Sequence, residues 1–238
     1  AALRQHNPGA DIGEDISAAP FVTAIQQALQ TLIIVPSADC AVLARVWCGL
    51  EAQTVMVSAL AGHLTDIYTH VDEVYDPTGY GSDTTRIRCL TDGELPGLDI
   101  YKAHRDAAFP AHIVEAALNF ALKEAQASSA EDKARILAHV KKQPGGVERV
   151  NATVRARHFL AGLLSLVEDG ASEELLEKGY AALQRSSVSR VVFSAELPSP
   201  ERLLRSLPAS VLVLDLYDAG VGDGGAEALA EALPRMRG

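Results

Sequence analysis

The sequence predicts an α/β fold in its first half, a helical segment behind it, and a short strand–helix repeat at its end. Three observations predict this. Leu32-Ile33-Ile34-Val35 is an unbroken branched apolar run closed by Pro36-Ser37. Such a run suits a strand buried on both faces, in the middle of a parallel sheet. From Ser128 to Leu183 the apolar residues recur at helical spacing. Finally, Val188-x-x-Val191-x-Phe193 returns 23 positions later as Val211-x-x-Leu214-x-Leu216. The stretch Thr31 to Glu51, read as strand, loop and helix, organises the first part and sets a carboxylate near the end of a strand.

The elements follow in order. Residues 1–20 hold Asn7-Pro8-Gly9 and several acids, and read as a turn and exposed loop. Phe21, Val22, Ile25, Ala28 and Leu29 mark one face of a short helix. A second helix runs from near Val42 to about Leu60, with Leu43, Trp47, Leu50, Thr54 and Val57 as its inner stripe and Gly62 as its stop. Leu64, Ile67, Val71 and Val74 predict another helix over 63–74. Asp76 to Asp83 is a Gly/Pro loop, Thr85 to Leu90 a short strand, and Ala111 to Ala125 an amphipathic segment. Ser128-Ser129-Ala130-Glu131 is a capping signal for a helix carrying Ile136, Leu137 and Val140. Pro144-Gly145-Gly146 ends it. A longer helix spans Val147 to Asp169, with Val150, Val154, Leu160, Leu163, Leu164 and Val167 inward. Ser172 caps the next, whose inner face is Leu175, Leu176, Tyr180 and Leu183.

Composition narrows the function. The 238 residues carry a formal charge of −10, which disfavours a nucleic-acid or anionic-membrane surface, since these need clustered Lys and Arg. No apolar run approaches a membrane span, and the polar start shows no signal peptide. Cys40, Cys48 and Cys89 are odd in number and lack zinc-site spacing, so free thiols in a reducing, cytoplasmic setting are expected. His63, Asp66, His70 and Asp72 offer ligand types without a third His or Cys in register, and no metal site is assigned. There is no P-loop, no G-x-G-x-x-G and no catalytic-triad order, and no cofactor is expected. The start without Met and the brevity of the repeat lead us to expect a piece of a longer chain.

The terminal pattern, extended through Ala219 and Val221, fits the leucine-rich template L-x-x-L-x-L-x-x-[NC]-x-L. Ser187 to Leu207 reads as a degenerate first repeat and Pro208 to Pro234 as a fuller second one. Two such units cannot bury a solenoid core alone. They must pack on the preceding helices or continue further. Val191 and Leu214 should then lie on adjacent parallel strands.

Arg45-Val46-Trp47-Cys48-Gly49-Leu50-Glu51 resembles the signature of TIR domains, Ser-x-Trp-Cys-Leu-x-Glu-Leu, and Ile33-Ile34-Val35-Pro36-Ser37 resembles the strand before it. The sequence departs from that pattern: Ala44 and Arg45 stand near the family's serine, and Gly49 and Ala52 replace apolar residues. The family's first strand and the loop after its second strand are not recognisable. A group of algal and protist proteins with a TIR-like WC-x-x-E segment is closer. Arg4-Gln5-His6-Asn7 resembles a remnant of their Asn-Gln-His motif. Lys123 to Ser128, followed by Glu131-Asp132-Lys133, and Val150-Asn151-Ala152-Thr153-Val154-Arg155 resemble two more of their segments.

The resemblance implies a TIR-like (flavodoxin-like) α/β domain over 1–125, a helical connector over 126–186 and an incomplete leucine-rich array over 187–238. It implies an interaction and signalling module that meets protein partners through the repeats or by self-association, with neither nucleic acid nor membrane insertion. It also implies an alternative, an NAD-cleaving glycohydrolase in which Glu51 is the catalytic carboxylate and Arg4, His6 and Arg45 bind ligand. A carboxylate suits that chemistry because its charge stabilises an oxocarbenium-like centre. Against this stands a purely structural Glu51, bonded to Arg45 or to the loop.

Overall fold

The computed structural model describes residues 15–28, 30–35, 40–57, 64–71, 86–89, 106–193 and 195–236. They form a mixed α/β structure, mostly helical, with two small sheets. In chain order the elements are α1 (Pro20–Gln27), β1 (Gln30–Val35), α2 (Val46–Val57), β2 (Leu64–Val71), β3 (Arg86–Cys89), α3 (Ala111–Leu118), α4 (Ala130–Lys141), α5 (Gly146–Glu168), α6 (Glu173–Arg185), β4 (Arg190–Phe193), α7 (Pro200–Arg205), β5 (Val213–Leu216) and α8 (Gly222–Met236). Among the described residues no helix is long and apolar enough to cross a membrane.

The first sheet corrects the expectation for β1. Its order is β1-β2-β3, so among the described residues β1 lies at an edge rather than in the centre. It is not buried on both faces either: Val35 is 0% exposed but Ile34 is 48% exposed. An apolar run alone does not say how many of its faces are covered. β1 and β2 are parallel, whereas β2 and β3 are antiparallel, so the sheet is mixed. The helix expected over 63–74 is instead strand β2, with Ile67 and Thr69 buried on one face and the Thr69 hydroxyl donating to the Val35 carbonyl at 2.8 Å. Its apolar residues fell at helical intervals, but Thr65, Ile67, Thr69 and Val71 are β-branched, and pairing with β1 decided the conformation.

The helical part follows the sequence closely. The Ser129 hydroxyl accepts from the Glu131 and Asp132 amides, so the cap sits one residue later than Ser128. Two acids open α4 and His139 and Lys141 close it, each end complementing the helix dipole. Ser172 caps α6 by accepting from the Leu175 amide.

The molecule is built around α5 rather than around residues 31–51. Helices α2, α3, α4 and α6 all pack on it. Its first half, through Val147, Val150 and Val154, joins a core with Phe21, Leu50, Phe120 and Ile136. Its second half, through Phe159 and Leu163, joins a larger core that runs on into the terminal strand–helix units. A helix buried along most of its length needs polar anchors, and Asn151, Thr153 and Arg155 act as such on α5. Asn151 Oδ1 accepts from the Leu122 amide at 2.9 Å, Thr153 Oγ1 from the Ser187 amide at 2.9 Å, and Arg155 donates from Nε and Nη2 to the Phe120 carbonyl at 2.9 and 2.6 Å. Each satisfies a backbone group that burial would otherwise strand.

The two terminal units pack as the repeat pattern requires. β4 and β5 are parallel, with Val191 opposite Leu214 and Phe193 opposite Leu216. The helices α7 and α8 lie together on one side. Val188, Val191, Phe193, Leu203, Leu204 and Val211 are buried in the core that contains Phe159 and Leu183. The pair therefore obtains its missing core from the preceding helices.

Candidate functional site

Glu51 lies in the second turn of α2, one turn after Trp47 and close to the start of the helix. The chain enters α2 through a 3-10 turn, Ala41–Ala44, preceded by Cys40 in a left-handed conformation. Arg45 forms an isolated parallel bridge to Gln126. Two backbone bonds frame it: Gln126 donates to Ala44 at 2.6 Å and Val46 donates to Gln126 at 2.9 Å. These fix the backbone of Arg45 and the direction of α2, while the Arg45 side chain stays exposed.

Leu50 is fully buried and Trp47 half-buried, its ring edge-on to Phe21 at 6.1 Å. Gly49 is needed for close packing. A Cβ there would stand 2.4 Å from Leu122 Cδ1 and 3.2 Å from Phe120 Cζ. The glycine that departs from the TIR pattern thus lets the 119–126 segment lie against α2.

Glu51 stands at the surface. Loss of water on the side of its carboxyl that faces the protein raises its pKa above the ordinary carboxylate value, and the charge of Arg45 opposes that rise. Among the described residues it has no ion-pair partner, so the structural alternative of a bond to Arg45 is reduced to charge attraction. Cys48 is half-buried. Burial first, and then the Glu51 charge, push its thiol up, so it stays protonated at neutral pH and is a poor nucleophile.

α2 does border a cavity, between β1, α2 and α5, lined by Ile33, Leu43, Cys48, Phe120 and His158 among others. Its volume is about 20 Å³, room for one water and not for a ribose. Glu51 is not among its lining residues. Arg4 and His6, the other expected ligand-binding residues, lie outside the described residues. So do His63 and Asp72 of the acidic and histidine cluster, while Asp66 and His70 fall in β2. No group of three metal-ligating side chains occurs among the described residues.

No protein-family model, curated protein or solved structure matches the chain.

The geometry adds a residue the sequence reading missed. His158 is 1% exposed and lines the same cavity as Cys48. Its Nδ1 lies 2.8 Å from the Val154 carbonyl. A carbonyl only accepts, so Nδ1 carries the proton. Nε2 is then a bare acceptor, buried and without a partner among the described residues. Burial holds its pKa down at about 4. The available signal was its place one turn after Val154, on the inner stripe of α5.

These placements predict an asymmetry. Trp47→Ala should cost about 2–3 kcal/mol, since it removes a half-buried ring packed on Phe21. Glu51→Ala should change stability by no more than about 0.5 kcal/mol, as for an exposed residue without a partner. Urea denaturation of both variants checks this, and equal losses would contradict the placement of the indole.

Proposed function

We propose that the chain is a protein-interaction module, a TIR-like α/β part coupled to leucine-rich repeats, acting by contact rather than by catalysis. One observation carries the reading: β5 and the turn that follows it present an outward row of exposed residues beside β4. Val213 is 40% exposed and Tyr217 is 65% exposed, and Asp215 between them is exposed as well. Arg190 and Val192 of β4, both half-buried, lie beside Val213 and Asp215. An aromatic and an aliphatic side chain flanked by charges is the composition of a recognition surface, and stacked repeats present it on a regular frame.

The test is substitution on that face. Val213→Arg with Tyr217→Glu should leave the unfolding midpoint unchanged, because both side chains face solvent. Proximity labelling in cells should then recover the partners of the wild-type chain at least about tenfold less well, the loss expected when the central residues of an interface are reversed in character. Unchanged recovery would defeat the proposal.

A second reading is favoured by the partly desolvated Glu51 carboxyl beside Arg45: NAD cleavage with Glu51 as the catalytic carboxylate. The first reading is preferred because Glu51 lines none of the cavities found among the described residues. Nicotinamide release from NAD decides between them. We expect none above background; release that disappears in Glu51→Ala would make the enzyme reading primary.

A further inference from the structure

We propose that the groove between the first half of α5 and helix α6 binds a small, soluble, phosphate-bearing anion. The groove measures about 390 Å³ and is shared by the start of α5 and the face of α6, within the size of small-molecule sites. Arg149, Arg155, Lys178 and Arg185 line it, against a single carboxylate, Glu148. This concentration of positive charge stands in a chain of net charge −10, so general composition does not account for it.

The charges are not neutralised where they stand. Arg155 is held by the Phe120 carbonyl, and Lys178 Nζ donates to Asn119 Oδ1 at 2.5 Å. Both acceptors are neutral, so the bonds orient the two cations without cancelling them. Glu148 is turned to Lys123, 3.5 Å away. Arg149 and Arg185 have no ion-pair partner among the described residues, and both are exposed. The groove therefore combines two pre-oriented cations with two free guanidinium groups, each able to grip a phosphate with paired donors.

The start of α5 adds to this. Its N-cap is Gly145, at φ 78°, which supplies no side-chain acceptor to the first turn. A Cβ at that position would fall 2.7 Å from the Arg149 chain. Glycine thus lets Arg149 lie across the helix start, at the positive end of the helix dipole, which favours an anion. Ala152, Ala181 and Ala182 form a low floor that leaves the space open. None of the groove residues lines the cavity beside Cys48 and His158, and neither Glu51 nor Arg45 lines the groove.

Titration calorimetry of the 238-residue protein with inorganic pyrophosphate and with ADP, at about 50 mM salt where screening is modest, tests the proposal. We expect saturable one-site binding of at least one of them. The tighter ligand distinguishes a bare phosphate group from a nucleotide whose base uses the alanine floor. Arg149→Ala with Arg185→Ala should weaken binding at least about tenfold, the loss of two charge-assisted contacts, with an unchanged thermal melt. Lys141→Ala with Lys142→Ala, removing two exposed cations at the end of α4, should leave it within about twofold. The proposal is overturned by absence of saturable binding, by equal weakening in both double variants, or by binding to anionic vesicles alone.

Discussion

Replacing Phe159 by alanine is expected to cost about 3–5 kcal/mol, the loss typical of a fully buried aromatic ring. Phe159 is 0% exposed, at the point where α5 meets α6. Its ring meets Tyr180 edge-on at 5.0 Å, and the Arg202 guanidinium lies 4.4 Å from the Tyr180 centroid. Arg202 in turn pairs with Glu173 and Glu177. A single set of contacts therefore joins α5, α6 and α7, the helical part to the terminal strand–helix units. Beneath the ring lies Gly179, where a Cβ would come within 2.2 Å of Phe159 Cδ2. Gly179→Ala alone should destabilise by about 1–3 kcal/mol through overpacking. In the Phe159→Ala background the same methyl enters vacated space. The double variant should then lose at least about 1 kcal/mol less than the sum of the single losses. Urea denaturation of all four proteins measures this coupling, and strict additivity would show that the ring and the glycine do not share that space.

The sequence was most legible where one cause sets the structure. Ser129 and Ser172 mark helix starts because a hydroxyl there meets an orphan amide whatever the rest of the chain does. The register of β4 and β5 was legible because the inward positions repeat at a fixed interval, and Val191 does lie opposite Leu214. It was least legible where two periods competed. Leu64, Ile67 and Val71 satisfy a helix stripe, and only pairing with β1 makes the segment a strand. The edge position of β1 was likewise hidden, since strand order is set by long-range contacts that no local pattern carries.

The candidate site divides the same way. Trp47, Cys48 and Glu51 were visible as a spaced set, and the structure places them on one helix. Their environment was not visible. The cavity beside Cys48 is lined by Ile33, Phe120 and His158, which come from three distant parts of the chain. The polar residues of Val150 to Arg155 drew notice through a resemblance. In the structure Asn151, Thr153 and Arg155 bind backbone groups of Leu122, Ser187 and Phe120. Anchoring of a buried helix is a sufficient reason for all three, since each caps a group that would otherwise lie unpaired in the core.

Acidification should expose the role of His158 in stability. In the folded chain its pKa is held at about 4 by burial, with the Arg157 charge adding to that effect and the bond to Val154 opposing it. In the unfolded chain the imidazole returns to about 6.5. Between these values the unfolded state binds the extra proton, so stability falls as pH falls. Above about pH 6.5 the histidine imposes no penalty, and the loss accumulates down to about pH 4, reaching about 3 kcal/mol. Carboxylates titrate over part of the same range, so the comparison must be with a chain lacking only this group. His158→Asn places an amide donor where Nδ1 stands, toward the Val154 carbonyl, and never titrates. Urea midpoints at about pH 7.5 and 4.5 should therefore separate much more for the wild type than for the variant. Direct NMR titration of the imidazole should find no protonation at pH values where an exposed histidine is already half charged. Parallel pH dependence in the two proteins, or an imidazole that titrates near 6.5, would show that Nε2 reaches water and is not sealed in the cavity with Cys48.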